Sequence, residues 1–185
     1  MPACNTPPDI LAFPPTPHVC ARCAKCCVVV PGDEDMLFPL FEEEVARLEA
    51  AAHELIPGVS PVAPAPNSPA FLAAMLRLFP DDALRVRELI PEAGRHMQLA
   101  VTGTGACVFL GDHGCRLPRD VRPAHCLLFP FWFHRNRLRV LEADCLAIRE
   151  AGAIWKLLQT LDLKEADLRE AFGRLRRIWG LPPMI

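Results

Sequence analysis

No stretch of the chain reaches the length of about eighteen apolar residues that a membrane-crossing helix needs. The first residues, MPACNTPPDILAFPPTP, lack a basic segment followed by a continuous apolar one, so they do not read as a secretory signal. Cys4 likewise has no apolar stretch before it of the kind lipoprotein processing requires. There is no P-loop, no dinucleotide-binding glycine pattern, no H-E-x-x-H and no nucleophile elbow. Internal repeats and βαβ alternation are also missing. With a formal net charge of -2, the chain as a whole has little pull on nucleic acid. Together these absences point to a cytoplasmic protein with no membrane partner and no expected nucleic-acid partner. A protein partner is left open.

What is abundant is sulfur. Of 9 cysteines, four crowd into one short segment, Cys20, Cys23, Cys26 and Cys27, and four return at Cys107, Cys115, Cys126 and Cys145. In a reducing compartment, clustered cysteine reads as metal or redox chemistry rather than as a disulfide framework. Thiolate is the soft ligand that selects zinc and iron–sulfur clusters. The spacing Cys20-x2-Cys23-x2-Cys26 puts three thiols on one tightly wound loop, as in the three-ligand run of bacterial ferredoxins. Zinc sites also use C-x2-C pairs completed by a distant second pair. The cofactor expected is therefore an iron–sulfur cluster, [4Fe–4S] by the first spacing, with zinc as the alternative. Adjacent side chains tend to point apart, which leaves open whether Cys26 or Cys27 is the ligand.

Two further residues are candidates for holding the cofactor. Arg122 could stabilise anionic sulfur through charge-assisted hydrogen bonds, or serve an ordinary ion pair, and Arg122-Pro123 sets the turn that presents Cys126. His125, beside Cys126, could ligate zinc or hydrogen-bond a thiolate; His18 and His113 are weaker candidates near Cys20 and Cys115. No catalytic residue is assigned.

The expected architecture is α+β: a mostly helical single domain with small antiparallel β-hairpins around a cysteine metal site. Residues 1–17, with six prolines, read as an extended arm, and 18–185 as the domain. A helix is predicted from Pro39 through Leu55, stopped by Pro57-Gly58, and a proline-rich loop over 57–69. Ser68-Pro69 starts a helix to Phe79, and Pro80-Asp81 a shorter one in which Leu84, Leu89 and Ile90 are apolar contacts. Hairpins are predicted from 96–101 with 106–110, carrying Cys107, and from 131–134 with 138–141. The C-terminal part, 146–180, reads as two helices, 146–161 and 165–179. Charge is uneven: residues 1–106 hold 7 Lys/Arg against 13 Asp/Glu, and 107–185 hold 13 against 9. The later arginines read as a solvated face or a surface for an anionic partner. The three tryptophans read as core or interface anchors.

The segment Cys20-Ala21-Arg22-Cys23-Ala24-Lys25-Cys26-Cys27 resembles the C-x2-C-x2-C-C signature of bacterial cysteine-cluster proteins described as zinc- or iron-chelating domains. The resemblance continues in Cys107-Val108-Phe109-Leu110, in Cys115-Arg116-Leu117, in Arg122-Pro123-Ala124-His125-Cys126-Leu127-Leu128-Phe129-Pro130, and at Cys145. It covers about residues 18–148 and leaves out Cys4. It implies that all eight of these cysteines serve a metal centre. A glycine often follows the family's second cysteine, where this chain has Ala24. A related domain in flagellin lysine methylases is associated with an iron–sulfur centre. That kinship implies iron here, and an accessory or catalytic role in protein modification as an alternative function. A thiol-redox or metal-transfer protein is a further alternative.

Overall fold

Twenty prolines cut this chain into brief elements. The computed structural model describes residues 18–30, 32 and 37–184. The proline-rich arm and Cys4 lie outside those residues. The elements are α1 (His18–Cys23), α2 (Glu42–Leu55), β1 (Val62–Pro66), α3 (Pro69–Leu78), α4 (Ala83–Leu89), β2 (Arg95–Leu99), β3 (Leu110–Gly111), β4 (Gly114–Cys115), α5 (Ala124–Leu128), β5 (Phe131–His134), β6 (Arg137–Val140), α6 (Leu146–Ala151), α7 (Ile154–Thr160) and α8 (Glu165–Ile178). Among the described residues the strands form three two-stranded antiparallel sheets, β1–β2, β3–β4 and β5–β6. The class is α+β, as expected. No helix among the described residues is long and apolar enough to cross a membrane.

Local chemistry explains the elements that the sequence announces. Ser68 caps α3 by accepting the Phe71 N–H at 2.9 Å, and Pro69 occupies the first turn, where its missing N–H costs nothing. Arg135 and Asn136, both in the left-handed region at φ 46° and 58°, form the two-residue turn of the β5–β6 hairpin. That backbone twist matches the twist of the paired strands.

Four expectations about elements need correction, and one about a side chain. The loop over 57–69 contains β1, despite Pro64 and Pro66. Ala100 N–H donates to Pro61 O and Asn67 N–H to Gly94 O, so odd-numbered residues face β2 and both prolines sit at positions whose nitrogens face away. The second correction concerns the partner of β2, which is β1 rather than 106–110. The latter segment meets 100–102 only through the Val101–Cys107 bridge and the Thr102–Ala106 bond around the predicted turn. Third, the predicted 146–161 helix breaks at Gly152, which adopts φ 68° and separates α6 from α7. Lastly, Pro39 does not open α2: Leu40 bridges Met97 as a third partner at the edge of β2, and helix begins at Glu42. Leu84 is 82% exposed and makes no core contact.

Two separate hydrophobic cores result. The larger joins α3, α4, α5, β5 and α8 around Phe71, Phe79, Phe131, Trp132 and Trp179, whose rings pack edge-on or tilted at 4.8–5.3 Å in the Phe79–Trp132 and Phe79–Trp179 pairs. The smaller joins α2, β1 and β2 around Leu48, Ile56, Val62, Leu99 and Phe109. Each fully buried side chain of this kind contributes about 1.5–3 kcal/mol relative to exposure. Trp132 and Trp179 are core residues, whereas Trp155 is exposed.

Candidate functional site

The cysteine-rich segment is folded by its own backbone before it meets anything else. On α1, Cys20 and Cys23 are three residues apart and so share a helix face. The helix ends at Ala24, whose N–H donates to Cys20 O at 2.8 Å and whose φ is 52°. A 3-10 turn, Lys25–Cys27, follows and reverses the chain. The next residues pair with a distant segment: Cys107 N–H donates to Cys27 O at 2.7 Å and Val29 N–H to Gly105 O at 2.9 Å. Gly105 permits this approach. It has φ +81°, and a Cβ there would lie 2.2 Å from Val29 O, so only glycine fits.

The remaining cysteines are presented by three short elements. Cys115, on β4, pairs with Leu110, whose N–H donates to Cys107 O at 2.8 Å. Cys126 lies on α5, and that helix's first N–H, from Ala124, is received by the buried Glu44 carboxylate at 2.9 Å. Cys145 occupies the N-cap of α6. Ion pairs Arg22–Glu150 and Lys25–Asp144 tie α1 and the turn after it to α6 and the segment leading into it.

These elements enclose a cavity of about 100 Å³. Seven of the eight described cysteines line it, all but Cys107. The two cysteine groups, remote in sequence, thus meet in space. Arg122 is on the same wall. Its Nε donates to Leu117 O at 2.9 Å and a terminal nitrogen lies 3.4 Å from Cys115 O, so the guanidinium is held by the backbone of the β4 region. From there it lowers the thiols of Cys20, Cys27 and Cys115, and its hydrogen bond to Cys115 lowers that one further.

Burial works the other way. It pushes Cys20 up to about 11, aided by the neighbouring sulfurs of Cys145, Cys27 and Cys23. Cys107 is likewise pushed up to about 11 by burial, then by Cys27 and Cys115. Cys27 is raised further, first by its hydrogen bond with Cys26, 3.9 Å away, and then by burial. Cys126 keeps accessible area on the cavity wall, yet dense surrounding protein raises its thiol through desolvation and through Cys27, Cys115 and Cys107. His125 does not line the cavity. Its ring stacks on Phe38 at 5.0 Å, its Nε2 is 3.3 Å from Cys126 Sγ, and burial holds its pKa down at about 3, so it is a neutral hydrogen-bonding neighbour of that thiol. His113 sits exposed on the turn between β3 and β4, away from the cavity wall.

The donor set fits a soft metal or an iron–sulfur cluster in kind and number: thiols predominate, and Arg122 offsets part of their charge. In their present arrangement no group of three or more His, Cys, Asp or Glu side chains among the described residues is placed to hold a metal ion. Loading would require thiols to converge from the cavity walls.

Glu44 is the positioning residue that sequence reasoning missed. Three consecutive glutamates, Glu42, Glu43 and Glu44, read alike as favourable charge at a helix start, but Glu44 shares the buried face of α2 with Leu48 and Ala52. That four-residue spacing was the available signal. Scans of the chain against protein-family models, curated proteins and solved structures give no match.

Proposed function

We propose that this protein is a cytoplasmic cysteine-cluster protein whose two cysteine sets hold an iron–sulfur cluster or zinc in a structural or electron-carrying role. The observation that supports this reading is the single cavity lined by seven cysteines drawn from both ends of the domain. The resemblance of its C-x2-C-x2-C-C segment to zinc- or iron-chelating cysteine-cluster domains agrees with it. Cys20, Cys23, Cys26, Cys27, Cys115, Cys126 and Cys145 would supply the ligands from the cavity wall, with Cys107 behind Cys27. Arg122 would favour the thiolate forms. A bound metal would stabilise the contact between the α1 segment and the β3–β4 hairpin, so metal affinity would add to folding stability. An all-cysteine iron–sulfur group would supply one-electron chemistry; zinc would supply none.

The thiol-redox alternative has one observation in its favour, the 3.9 Å separation of Cys26 and Cys27. Raised thiols at Cys20, Cys27, Cys107, Cys115 and Cys126 weigh against it, because reactive cysteines need depressed pKa values.

Anaerobic purification with metal and sulfide analysis tests the reading. A brown protein with iron and acid-labile sulfide supports the cluster, and a colourless one with stoichiometric zinc supports the zinc form. A folded, metal-free protein that takes up neither overturns both. Replacing Cys20, Cys23 or Cys126 by Ser lowers metal content and stability together, whereas Cys4→Ser changes neither.

A further inference from the structure

A second cavity, of about 240 Å³ against about 100 Å³ for the cysteine-lined one, holds no cysteine. Four stretches wall it: the Pro80–Asp82 turn, the end of β5 with the hairpin turn after it, one face of α8, and residues 182–184 beyond that helix. Its apolar side is aromatic. Phe79, Phe133 and Phe172 are 2–3% exposed, and the Phe172 ring lies 5.4 Å from Phe133 and 6.4 Å from Phe79. Its polar side is held in place. Arg176, one turn along α8 from Phe172, donates to both Asp82 oxygens at 2.7 and 3.1 Å, and its Nε donates to Pro182 O at 2.5 Å, which fixes the 182–184 wall. The side chains of Arg176 and Asp82 are 11% and 8% exposed, so these two charges cancel within the wall. Arg169 secures the hairpin turn by donating to Asn136 Oδ1 and lies 4.9 Å over the Phe133 ring.

The remaining charge is unbalanced. Arg135 lines the cavity, and Arg137 and Arg139 follow it on the same hairpin. All three are exposed, and none is in an ion pair among the described residues. Of the two acids that line the cavity, Asp82 is neutralised by Arg176, and Asp81 stands exposed. We propose that this pocket binds a small aromatic carboxylate, its ring against Phe79, Phe133 and Phe172 and its carboxylate at Arg135. A guanidinium offers a carboxylate two parallel N–H donors, and Asp82 already occupies Arg176 in that way, which leaves Arg135 as the anchor. Arg137 and Arg139 add a positive field that draws an anion to the hairpin. The volume falls just below the roughly 300–1,000 Å³ of pockets for drug-sized ligands, which limits the occupant to a compound of one ring. This site is separate from the cysteine cavity and does not depend on the metal-binding reading.

The experiment is a titration of the isotopically labelled full chain with para-fluorophenylacetate at neutral pH, read by fluorine and amide nuclear magnetic resonance. Saturable binding at one site is expected, with amide shifts concentrated at 133–136 and Arg176. Acetate, which lacks the ring, and para-fluorophenethylamine, which reverses the charge, should each bind at least about tenfold more weakly. Arg135→Asn keeps the left-handed turn, because asparagine tolerates that backbone, and should weaken binding about tenfold. Asp81→Asn removes the opposing charge and should strengthen binding about two- to threefold. Arg149→Gln, at an exposed arginine outside the cavity, should change nothing. Circular dichroism identifies any variant that fails to fold, and the comparison of the three probes on the wild-type chain stands without the variants. Absence of saturable binding overturns the proposal. Equal affinity for the amine, shifts centred away from the cavity, or binding that a folded Arg135→Asn variant leaves intact would overturn it as well.

Discussion

The Glu44 carboxylate receives the Ala124 backbone N–H at 2.9 Å in the protein interior, joining α2 to the first turn of α5 two residues ahead of Cys126. Burial raises the Glu44 pKa, and the Ala124 bond is the leading contribution that lowers it again. Glu44→Ala would leave a buried N–H without its acceptor, and a loss of about 1–3 kcal/mol is expected. Glu44→Gln keeps an acceptor oxygen in place and should lose less. Urea unfolding of both variants decides the matter, since equal losses would mean that the bond does not anchor α5.

Gly105→Ala should be among the most damaging small changes in the chain. It forces an L residue to φ +81° and sets a methyl 2.2 Å from Val29 O, so the pairing of Cys27 with Cys107 cannot survive unchanged. A loss of more than about 2 kcal/mol is expected. Metal uptake should weaken in the same variant. Wild-type stability in this variant would contradict the close approach.

Ala24 offers the opposite change. At φ 52° it carries a side chain where the left-handed conformation is unfavourable, between the C-terminus of α1 and the turn bearing Cys26 and Cys27. Ala24→Gly relieves that cost, partly offset by the greater freedom of glycine in the unfolded chain, and a net gain of about 0.5–1 kcal/mol is expected. A lower urea midpoint would refute the assignment.

The metal-free protein should lose stability in alkali. Cys20 and Cys107 are raised from 9.0 to about 11 in the folded state. Below pH 9 both folded and unfolded chains keep these protons. From there to about 11 the unfolded chain releases them first, so stability falls as pH rises through that window. Urea midpoints at pH 8 and pH 11 measure the slope, which Cys20→Ser should reduce. A flat profile would show that these thiols are not desolvated.

Arg122→Gln removes the cation that lowers Cys20, Cys27 and Cys115. Metal affinity at neutral pH should drop about 10–100-fold, the usual effect of losing a supporting group behind metal ligands. Raising the pH should recover part of the loss. Competition with a coloured chelator at two pH values reads both effects.

Much of the scaffold was legible from residue order. Ser68-Pro69, the polar turn between β5 and β6, and the breaks at Pro57-Gly58 and Gly180 each encode their element through local backbone chemistry. What escaped depended on partners remote in the chain. Pro64 and Pro66 forbid a central strand, and only the register against β2 reveals that their nitrogens face away from it. Gly152 is tolerable within a helix, so its role as a break emerges only from the packing of α6 and α7. The eight cysteines were identifiable at once by density and spacing. Their packing was not: Cys20 and Cys145 lie against the larger core and Cys107 and Cys115 against the smaller, and the first pair is more than a hundred residues apart.

The cavity's walls are unequal in kind. The Cys27–Cys107 wall is stitched by main-chain hydrogen bonds. The α1–α6 wall rests on apolar packing around Val19 and Ala147 and on two ion pairs whose side chains are 42–61% exposed. Such exposed pairs contribute little, and their reach shrinks from about 10 Å at 0.1 M salt to about 3 Å at 1 M. The protein therefore has a built-in weak seam on the side of Cys20, Cys23 and Cys145, where strong electrolyte loosens the grip on whatever lies behind it.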